Sequence, residues 1–398
     1  MADLTLAPFG WGQNGGRPGS VNLVDLGGGE QYIFAPNPGN LQQGHLFKTL
    51  NDGVTWDQAA SVSTVTAVVH SAVWFDKWTP GDTGTRIHIA YMDISTDDLF
   101  YRYYDTATGT LGAAVTVFTG ATFNIGATSE ISIVKAVGGN IYIAYDGDGG
   151  TEKGFYRSTD NGGTFGARTD WTEGADYWVM LPGNYADTND IDIIFWDRTA
   201  DEISLKTYDD SADSTSETSI STGMTDQTAT TSNPQFSAIV RHSDGHIILV
   251  AWNSRDVATA DMKCWDINGS GSITGMTDVI TNADDCHTCA LVIDQTTDDL
   301  YVAYLGKSDG SETYGTSLSV CRKSSTDGGS TWSAETVLVG PPALSTSAIA
   351  IMGPQSINTA PSMWAVAYGR SSLVIEVPTG GGGGGGAAQL VNTSGLVG

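Results

Sequence analysis

Four cysteines are the residues of this chain whose type could bind a metal or form cross-links. They fall within 58 residues of one another, at Cys264, Cys286, Cys289 and Cys321. Cys286 and Cys289 form a single C-x-x-C pair, which indicates zinc or redox chemistry only weakly without a second pair at a suitable spacing. The spacing therefore leaves three readings open: one or two disulfides, which would favour an oxidising environment, buried thiols, or a metal site.

A second candidate for metal chemistry is the segment 266–273, which matches the first eight positions of a calcium loop. Oxygen donors stand at positions one, three and five, as Asp266, Asn268 and Ser270. Position twelve is Thr277 in place of a bidentate glutamate, so the predicted calcium affinity is low. The alternative is a glycine-rich hairpin turn, and no other cofactor is predicted.

The elements that must position these residues are strands of a repeat. A short apolar segment that ends in an aromatic residue recurs at 89–91, 143–145, 194–196, 250–252, 302–304 and 366–368, with a weaker copy at 32–34. Tyr91 and Tyr368 are 277 positions apart over five steps, which gives a period of about 55 residues. Each copy is flanked by further alternating segments, so one repeat holds four strands.

Four strands per repeat of this length are typical of a β-propeller blade. The sequence therefore predicts an all-β fold, a single β-propeller of seven four-stranded blades over residues 1–378, with six blades as the alternative. The last repeat lacks a fourth strand, and the alternating segment 3–8 precedes the first repeat. We expect this N-terminal strand to pair with the last blade and close the ring, because closure removes exposed strand edges.

Three repeats carry the same turn, Ser-x-Asp-x-Gly-x-Thr-aromatic. It occurs at 158–165 and 325–332, and at 49–56 with Thr for Ser and Asn for Asp. The turn resembles the Asp-box, or BNR repeat, of sialidase-like β-propellers. That resemblance implies a structural role, away from any active site, for Asn51, Gly53, Trp56, Ser158, Asp160, Gly162, Phe165, Ser325, Asp327, Gly329 and Trp332.

The same resemblance makes a sialidase-like exo-glycoside hydrolase the rival reading. Its chemistry needs an arginine triad, a Tyr–Glu nucleophilic pair and an aspartate acid/base. The chain has ten arginines, but none stands in the family's Arg-Ile-Pro arrangement, and Tyr368, close to Arg370, is also the packing aromatic of its repeat. We therefore predict no catalytic residue and no enzymatic activity, with a lectin-like carbohydrate-binding protein as the second alternative.

The charge of the chain excludes some partners. A formal net charge of -27 disfavours nucleic acid and anionic membrane surfaces. No apolar run approaches the roughly 18 residues of a membrane span, and the start of the chain lacks the pattern of a Sec signal peptide. The expected location is a virion or another extracellular assembly, reached by another route.

Residues 379–398 form a separate tail. Seven glycines, 380–386, precede a short apolar segment that contains Leu390, Val391, Leu396 and Val397. A glycine run is by default a flexible linker, and the alternative is a docking peptide that binds by strand addition. Glycine-rich C-terminal tails of this kind resemble those of bacteriophage virion proteins. We thus expect a non-catalytic structural or binding protein, anchored to other subunits through its tail, with a face for a glycan or a cell-surface receptor.

Overall fold

The fold is taken from a computed structural model. It describes residues 4–6, 22–37, 40–51, 55–63, 68–93, 95–120, 130–147, 152–172, 176–197, 199–224, 236–253, 261–281, 288–305, 318–344, 348–353, 355–357, 364–368 and 372–376. The structure places thirty strands and one short 3-10 helix in this part of the chain.

The strands form sheets that we number along the chain. Sheet 1 contains β2 (Leu23–Gly27), β3 (Glu30–Asn37), β4 (Asn40–Thr49) and β5 (Asp57–Ser61). Sheet 2 contains β6 (Val68–Phe75), β7 (Arg86–Asp93), β8 (Asp98–Asp105), β9 (Thr110–Leu111) and β10 (Val115–Thr119), with the 3-10 helix Asp76–Trp78 between β6 and β7. Sheet 3 contains β11 (Glu130–Lys135), β12 (Ile141–Asp146), β13 (Lys153–Ser158) and β14 (Gly166–Ala167).

The next three sheets follow the same plan. Sheet 4 contains β15 (Tyr177–Pro182), β16 (Ile191–Asp197), β17 (Glu202–Asp209) and β18 (Ser214–Thr222). Sheet 5 contains β19 (Phe236–Val240), β20 (Ile247–Asn253), β21 (Asp261–Ile267) and β22 (Ile273–Gly275). Sheet 6 contains β23 (Cys289–Asp294), β24 (Asp299–Leu305), β25 (Leu318–Ser325) and β26 (Thr336–Leu344), and β28 (Ser356–Ile357) pairs with β23 in parallel.

Sheet 7 joins the two ends of the chain. It contains β27 (Ala348–Met352), β29 (Trp364–Tyr368), β30 (Ser372–Glu376) and, as its outer strand, β1 (Leu4–Leu6). Leu4 lies opposite Ile375 and Leu6 opposite Leu373, so the N-terminal strand completes the last sheet as the incomplete final repeat predicted.

The sheets are arranged as the blades of a propeller. From β6 through β11, β15, β19 and β23 to β27, the first strand of each sheet contacts the first strand of the next, so these strands surround a central axis. The structure thus confirms an all-β propeller with four-stranded blades. The described strands give six sheets built from one stretch of chain each, apart from the added β28, and the sheet shared by both ends makes a seventh.

The core lies between neighbouring sheets, because the inner strands of each blade are covered on both faces. All six residues of β12 are buried, whereas seven of the nine residues of β18 are exposed. The aromatic residue of the repeat fills this space, as its spacing predicted: Phe34, Tyr91, Tyr145, Trp196, Trp252 and Tyr304 are all at most 2% exposed. The side chain of Tyr368 lies outside the described residues.

Among the described residues, no helix has the length and apolar character that a membrane crossing requires.

Candidate functional site

The two ends of the ring differ, and we name them by the first strand of each sheet. At the starting end these strands begin, and at the box end they finish. The third strand of an antiparallel sheet runs in the same direction as the first, so turns that follow third strands lie at the box end. The three predicted Asp-box turns follow β4, β13 and β25 and are all at the box end.

Two of these turns have one hydrogen-bond pattern. Asp160 Oδ1 accepts hydrogen bonds from Ser158 Oγ and Thr164 N, and Ser158 Oγ accepts one from Gly162 N. Asp327 makes the equivalent bonds with Ser325 and Thr331, and Gly329 N donates to Ser325 Oγ at 2.8 Å. The bonds from Thr164 and Ser158 lower the pKa of Asp160 to about 2, so it is ionised at neutral pH.

The first predicted turn keeps the part of this pattern that the structure describes. Asn51 Oδ1 accepts hydrogen bonds from Thr49 Oγ1 at 2.8 Å and from Thr55 N at 2.9 Å. The amide oxygen of Asn51 therefore acts as the carboxylate does in the other two turns. Gly53 lies outside the described residues, and Trp56 is partly buried.

Two turns also fasten their sheet to the preceding one. The Phe165 ring lies 5.1 Å from the ring of Tyr101, on sheet 2. Trp332 Nε1 donates to the carbonyl of Thr277, and Thr277 Oγ1 donates to the carbonyl of Ser330, which joins sheets 6 and 5. The turn residues thus make inter-blade contacts, and the Asp-box identity itself stays a resemblance.

Buried polar side chains lie at the starting end, and sequence analysis did not identify them as candidate site residues. Glu130 and Asp146 lie directly opposite each other on β11 and β12, and both are 0% exposed. Opposite residues project from one face of a sheet with Cβ atoms about 5 Å apart. The two carboxylates are 16 positions apart in the sequence, and only the pairing of β11 with β12 brings them together.

One oxygen of Glu130 has a defined structural task. Its Oε1 accepts a hydrogen bond from the backbone N–H of Trp178 on β15, at 3.4 Å. Ser132 Oγ accepts from Met180 N, and Ser237 Oγ accepts from Leu291 N in the same way. Each side chain satisfies a backbone N–H on the inner edge of the next sheet.

The box end of the axis is crossed by the segment between β6 and β7. The indole Nε1 of Trp78 donates to the carbonyl of Ser356, and His242 Nε2 donates to the carbonyl of Trp78 at 3.1 Å. Trp78 is 2% exposed. This segment of sheet 2 therefore contacts β28 and sheet 5, and it closes the axis at this end.

A buried charged network supports the same segment. Asp76 Oδ1 accepts hydrogen bonds from His88 Nε2 at 2.9 Å and from Lys135 Nζ at 2.6 Å. Burial alone would raise the pKa of Asp76, but the hydrogen bonds from His88 and Lys135 hold it below the usual value. Burial lowers the pKa of His88, so its imidazole is neutral, and Tyr101 OH lies 2.6 Å from Nδ1. The network has the composition of a proton relay, but His88 is 0% exposed, so a substrate in solvent cannot reach its ring.

The described arginines do not form a carboxylate-binding triad. None lies on a first strand of a sheet, and each has a partner elsewhere: Arg86 with Tyr103, Arg102 with Val62 and Gly112, Arg157 and Arg168 with Asp210, Arg241 with Asp244 and Asp266, and Arg322 with Tyr301. Arg17, Arg198, Arg255 and Arg370 lie outside the described residues.

Three of the four cysteines are brought together. Cys264, Cys289 and Cys321 lie in one buried apolar cluster between sheets 5 and 6. Cys264 and Cys289 are thiols, and burial raises the pKa of both, to about 12 for Cys264, which makes them unreactive. Cys286 lies outside the described residues, so the pairing of the C-x-x-C remains a prediction.

The predicted calcium ligands are engaged by protein donors. Asp266 accepts hydrogen bonds from His246 Nδ1 at 2.6 Å and from Arg241 at 2.9 Å. Asn268 Oδ1 accepts from the N–H groups of Ser270 and Ser272, within the hairpin between β21 and β22. Among the described residues no group of three or more His, Cys, Asp or Glu side chains could hold a metal, and calcium here stays a prediction.

The tail residues Leu390, Val391, Leu396 and Val397 lie outside the described residues, so their docking role also remains a prediction.

Comparison with known proteins identifies no family for this chain. No protein-family model matches the chain. No curated protein matches it either. Solved structures with a similar fold include a Hadza microbial sialidase, 12% identical over 84% of this chain and 73% of its own, with a TM-score of 0.45.

Two further structures are similar at the same level. A GH74 xyloglucanase from Xanthomonas campestris is 10% identical over 94% of this chain and 53% of its own, with a TM-score of 0.49. A putative 6-phosphogluconolactonase from Bacteroides uniformis is 11% identical over 86% of this chain and 90% of its own, with a TM-score of 0.48. At these identities and TM-scores the likenesses do not bear on the activity of this protein.

Proposed function

We propose that this protein is a non-catalytic β-propeller that serves as a structural or binding component of a virion or another extracellular assembly, anchored through residues 379–398. Two of its three box turns fasten neighbouring blades in the manner of an Asp-box, and its ring holds seven blades when the sheet shared by both chain ends is counted. A glycan or a receptor is the partner expected on the exposed face.

The observation that carries this proposal is that polar side chains around the axis form hydrogen bonds between neighbouring sheets. Glu130, Ser132 and Ser237 are hydrogen-bond acceptors for the next sheet, at 3.4, 3.3 and 3.0 Å. At the opposite end Trp78 closes the axis. Polar groups committed to holding blades together support a rigid scaffold, since each would have to leave a buried partner to act on a substrate.

The test compares the full chain with a chain that ends at Pro378, by light scattering and electron microscopy across a range of concentrations. A control replaces Leu390, Val391, Leu396 and Val397 with serine and keeps the length. We expect assembly beyond a dimer only for the unmodified chain. If all three forms stay monomeric, or all three associate equally, the tail is not the anchor.

One observation favours a second candidate, an exo-acting glycoside hydrolase. Glu130 and Asp146 are opposite each other at the starting end. The Cβ atoms of such an opposed pair are about 5 Å apart, which places the two carboxyl groups on one face, as retaining glycosidases require for their pair of carboxyl groups about 5 Å apart. The test is hydrolysis of a panel of aryl glycosides that includes a sialoside, by the parent chain and by Glu130→Gln, whose amide oxygen can still accept from Trp178 N. Activity that is lost in Glu130→Gln at unchanged melting temperature would establish the hydrolase.

A further inference from the structure

The outer edges of the blades are protected to very different degrees. An unpaired strand edge invites pairing with another chain, and proteins blunt such edges with short strands, prolines or bulges. β14 has two residues, and β1 and β22 have three each. β26 contains Pro341 and Pro342, and β5 and β10 each carry a register shift against their partners.

β18 lacks most of this protection. It has nine residues, Ser214–Thr222, without proline, and seven of them are exposed. Its register with β17 is regular from Ser214 to Ser219, and its one irregularity follows Ser219. In the part of the chain that the structure describes, sheet 4 has no strand beyond β18.

We infer that the outer edge of β18 is a self-association surface that pairs, antiparallel, with β18 of a second copy of this chain. Seven of its nine residues are Ser or Thr, which pair favourably with one another across strands. If the apolar tail paired with β18 instead, its leucine and valine side chains would lie opposite hydroxyl groups, which is a less favourable pairing.

The charges of the strand select a register for this pairing. The register that uses the whole of β18 has its two-fold centre at Thr218, so each Glu217 faces Ser219 of the partner copy. Like charges directly opposite each other destabilise a strand pair, and this register avoids them. The nearest cation to Glu217 is Lys206 of the same copy, whose Nζ lies 3.9 Å from Oε2.

The net charge of -27 on each copy opposes association, so we expect the dimer to be weak and to strengthen as salt screens the repulsion. The inference is independent of the tail, because β18 and residues 379–398 are different segments. The experiment therefore includes the chain that ends at Pro378, in which loss of the tail should leave the β18 dimer intact.

The test is sedimentation equilibrium of the full chain and its variants in 0.05 and 0.5 M NaCl. The Debye length is about three times shorter at the higher salt concentration, so the repulsion between copies is screened more strongly there. Ser219→Glu places a glutamate opposite Glu217 in both symmetry-related pairs, and the dissociation constant should rise about tenfold. Ser219→Lys places a lysine there and should lower it. Ser221→Glu, which faces Thr215 in this register, adds the same charge without a facing carboxylate and is the control.

Circular dichroism and thermal melting check that all variants fold. A monomer under all conditions would overturn the inference, as would a dimer that responds equally to Ser219→Glu and Ser221→Glu. Dimerisation that disappears with the tail alone would assign association to the proposed anchor instead of β18.

Discussion

At the scale of single residues, Asp192 is a buried carboxylate whose pKa is raised by its surroundings. It lies on β16, is 4% exposed, and accepts hydrogen bonds from Tyr185 OH at 2.6 Å and Thr207 Oγ1 at 3.2 Å. Burial, with a smaller contribution from the charge of Asp190, raises its pKa to about 7 although the two hydrogen bonds lower it. No cation acts on it among these groups, so its ionisation opposes folding.

This raised pKa predicts a pH-dependent loss of stability. The unfolded pKa of 3.8 is the lower one, so the stability is fully present only below that pH and is lost as the pH rises to about 7. A shift from 3.8 to about 7 corresponds to about 4 kcal/mol. We expect Asp192→Asn to remove this loss and to be more stable than the parent chain at pH 8.

Urea unfolding of both proteins at pH 4.5, 6 and 8 measures the difference. Asp209→Asn is the control, because hydrogen bonds from Ala212 and Ser211 lower the pKa of Asp209 instead. If the stability difference between Asp192→Asn and the parent chain is the same at pH 4.5 and pH 8, the pKa of Asp192 is not raised in the folded protein.

Gly162 lies where a side chain cannot be accommodated. Its φ is +85°, and a Cβ there would lie 2.2 Å from a ring carbon of Tyr101. Gly162→Ala should therefore cost about 2 to 4 kcal/mol, through both backbone strain and displacement of the Tyr101 ring. Gly166→Ala, four positions further on with no atom within 4 Å of its Cβ, should change the free energy of unfolding by less than about 0.5 kcal/mol. Equal melting temperatures for the two variants would contradict the docking of this turn on sheet 2.

At the scale of the elements, the 3-10 helix Asp76–Trp78 crosses the axis and connects sheet 2 with sheet 5 and β28. Trp78 packs edge-on against Trp74, with 5.6 Å between ring centroids, and its N–H is bonded to Ser356. Trp78→Ala should cost about 3 to 5 kcal/mol, and Trp78→Phe, which keeps most of the packing and loses the hydrogen bond, about 1 to 2. Lys77→Ala is the control, since Lys77 is exposed.

Chemical unfolding of the three variants measures these costs, and amide hydrogen exchange of β6 and β19 shows where the effect spreads. If Trp78→Ala costs no more than Lys77→Ala, the segment does not hold the ring together.

The elements also show what a sequence can and cannot reveal. Period and alternation predicted the strands, the buried aromatic of each repeat, and the pairing of β1 with β30, because each depends on local pattern and chain length. The Glu130–Asp146 pair and the bond from His242 to Trp78 depend on the register of β11 with β12 and on which segments meet across the axis. Asp266 likewise fits a calcium loop by spacing, but Arg241 and His246 reach it from a different turn.

At the scale of the whole molecule, the ring is held by a strand of only three residues. β1 pairs with β30 over Leu4, Thr5 and Leu6, and β30 would otherwise present an unpaired edge. The chain between β1 and β30 is nearly the entire protein, so this pairing has the longest sequence separation among the described strands and the largest loop-closure entropy to overcome.

Deletion of residues 1–7 behind a new initiator methionine should therefore leave a folded but open ring, with a lower melting temperature and concentration-dependent aggregation through β30. A peptide with the sequence of residues 1–10, added in excess, should bind the open ring and raise its melting temperature by mass action. A scrambled peptide of the same composition is the control. If the deleted protein melts like the parent and ignores both peptides, β1 does not close the ring, and sheet 7 is held by β27, β29 and β30 alone.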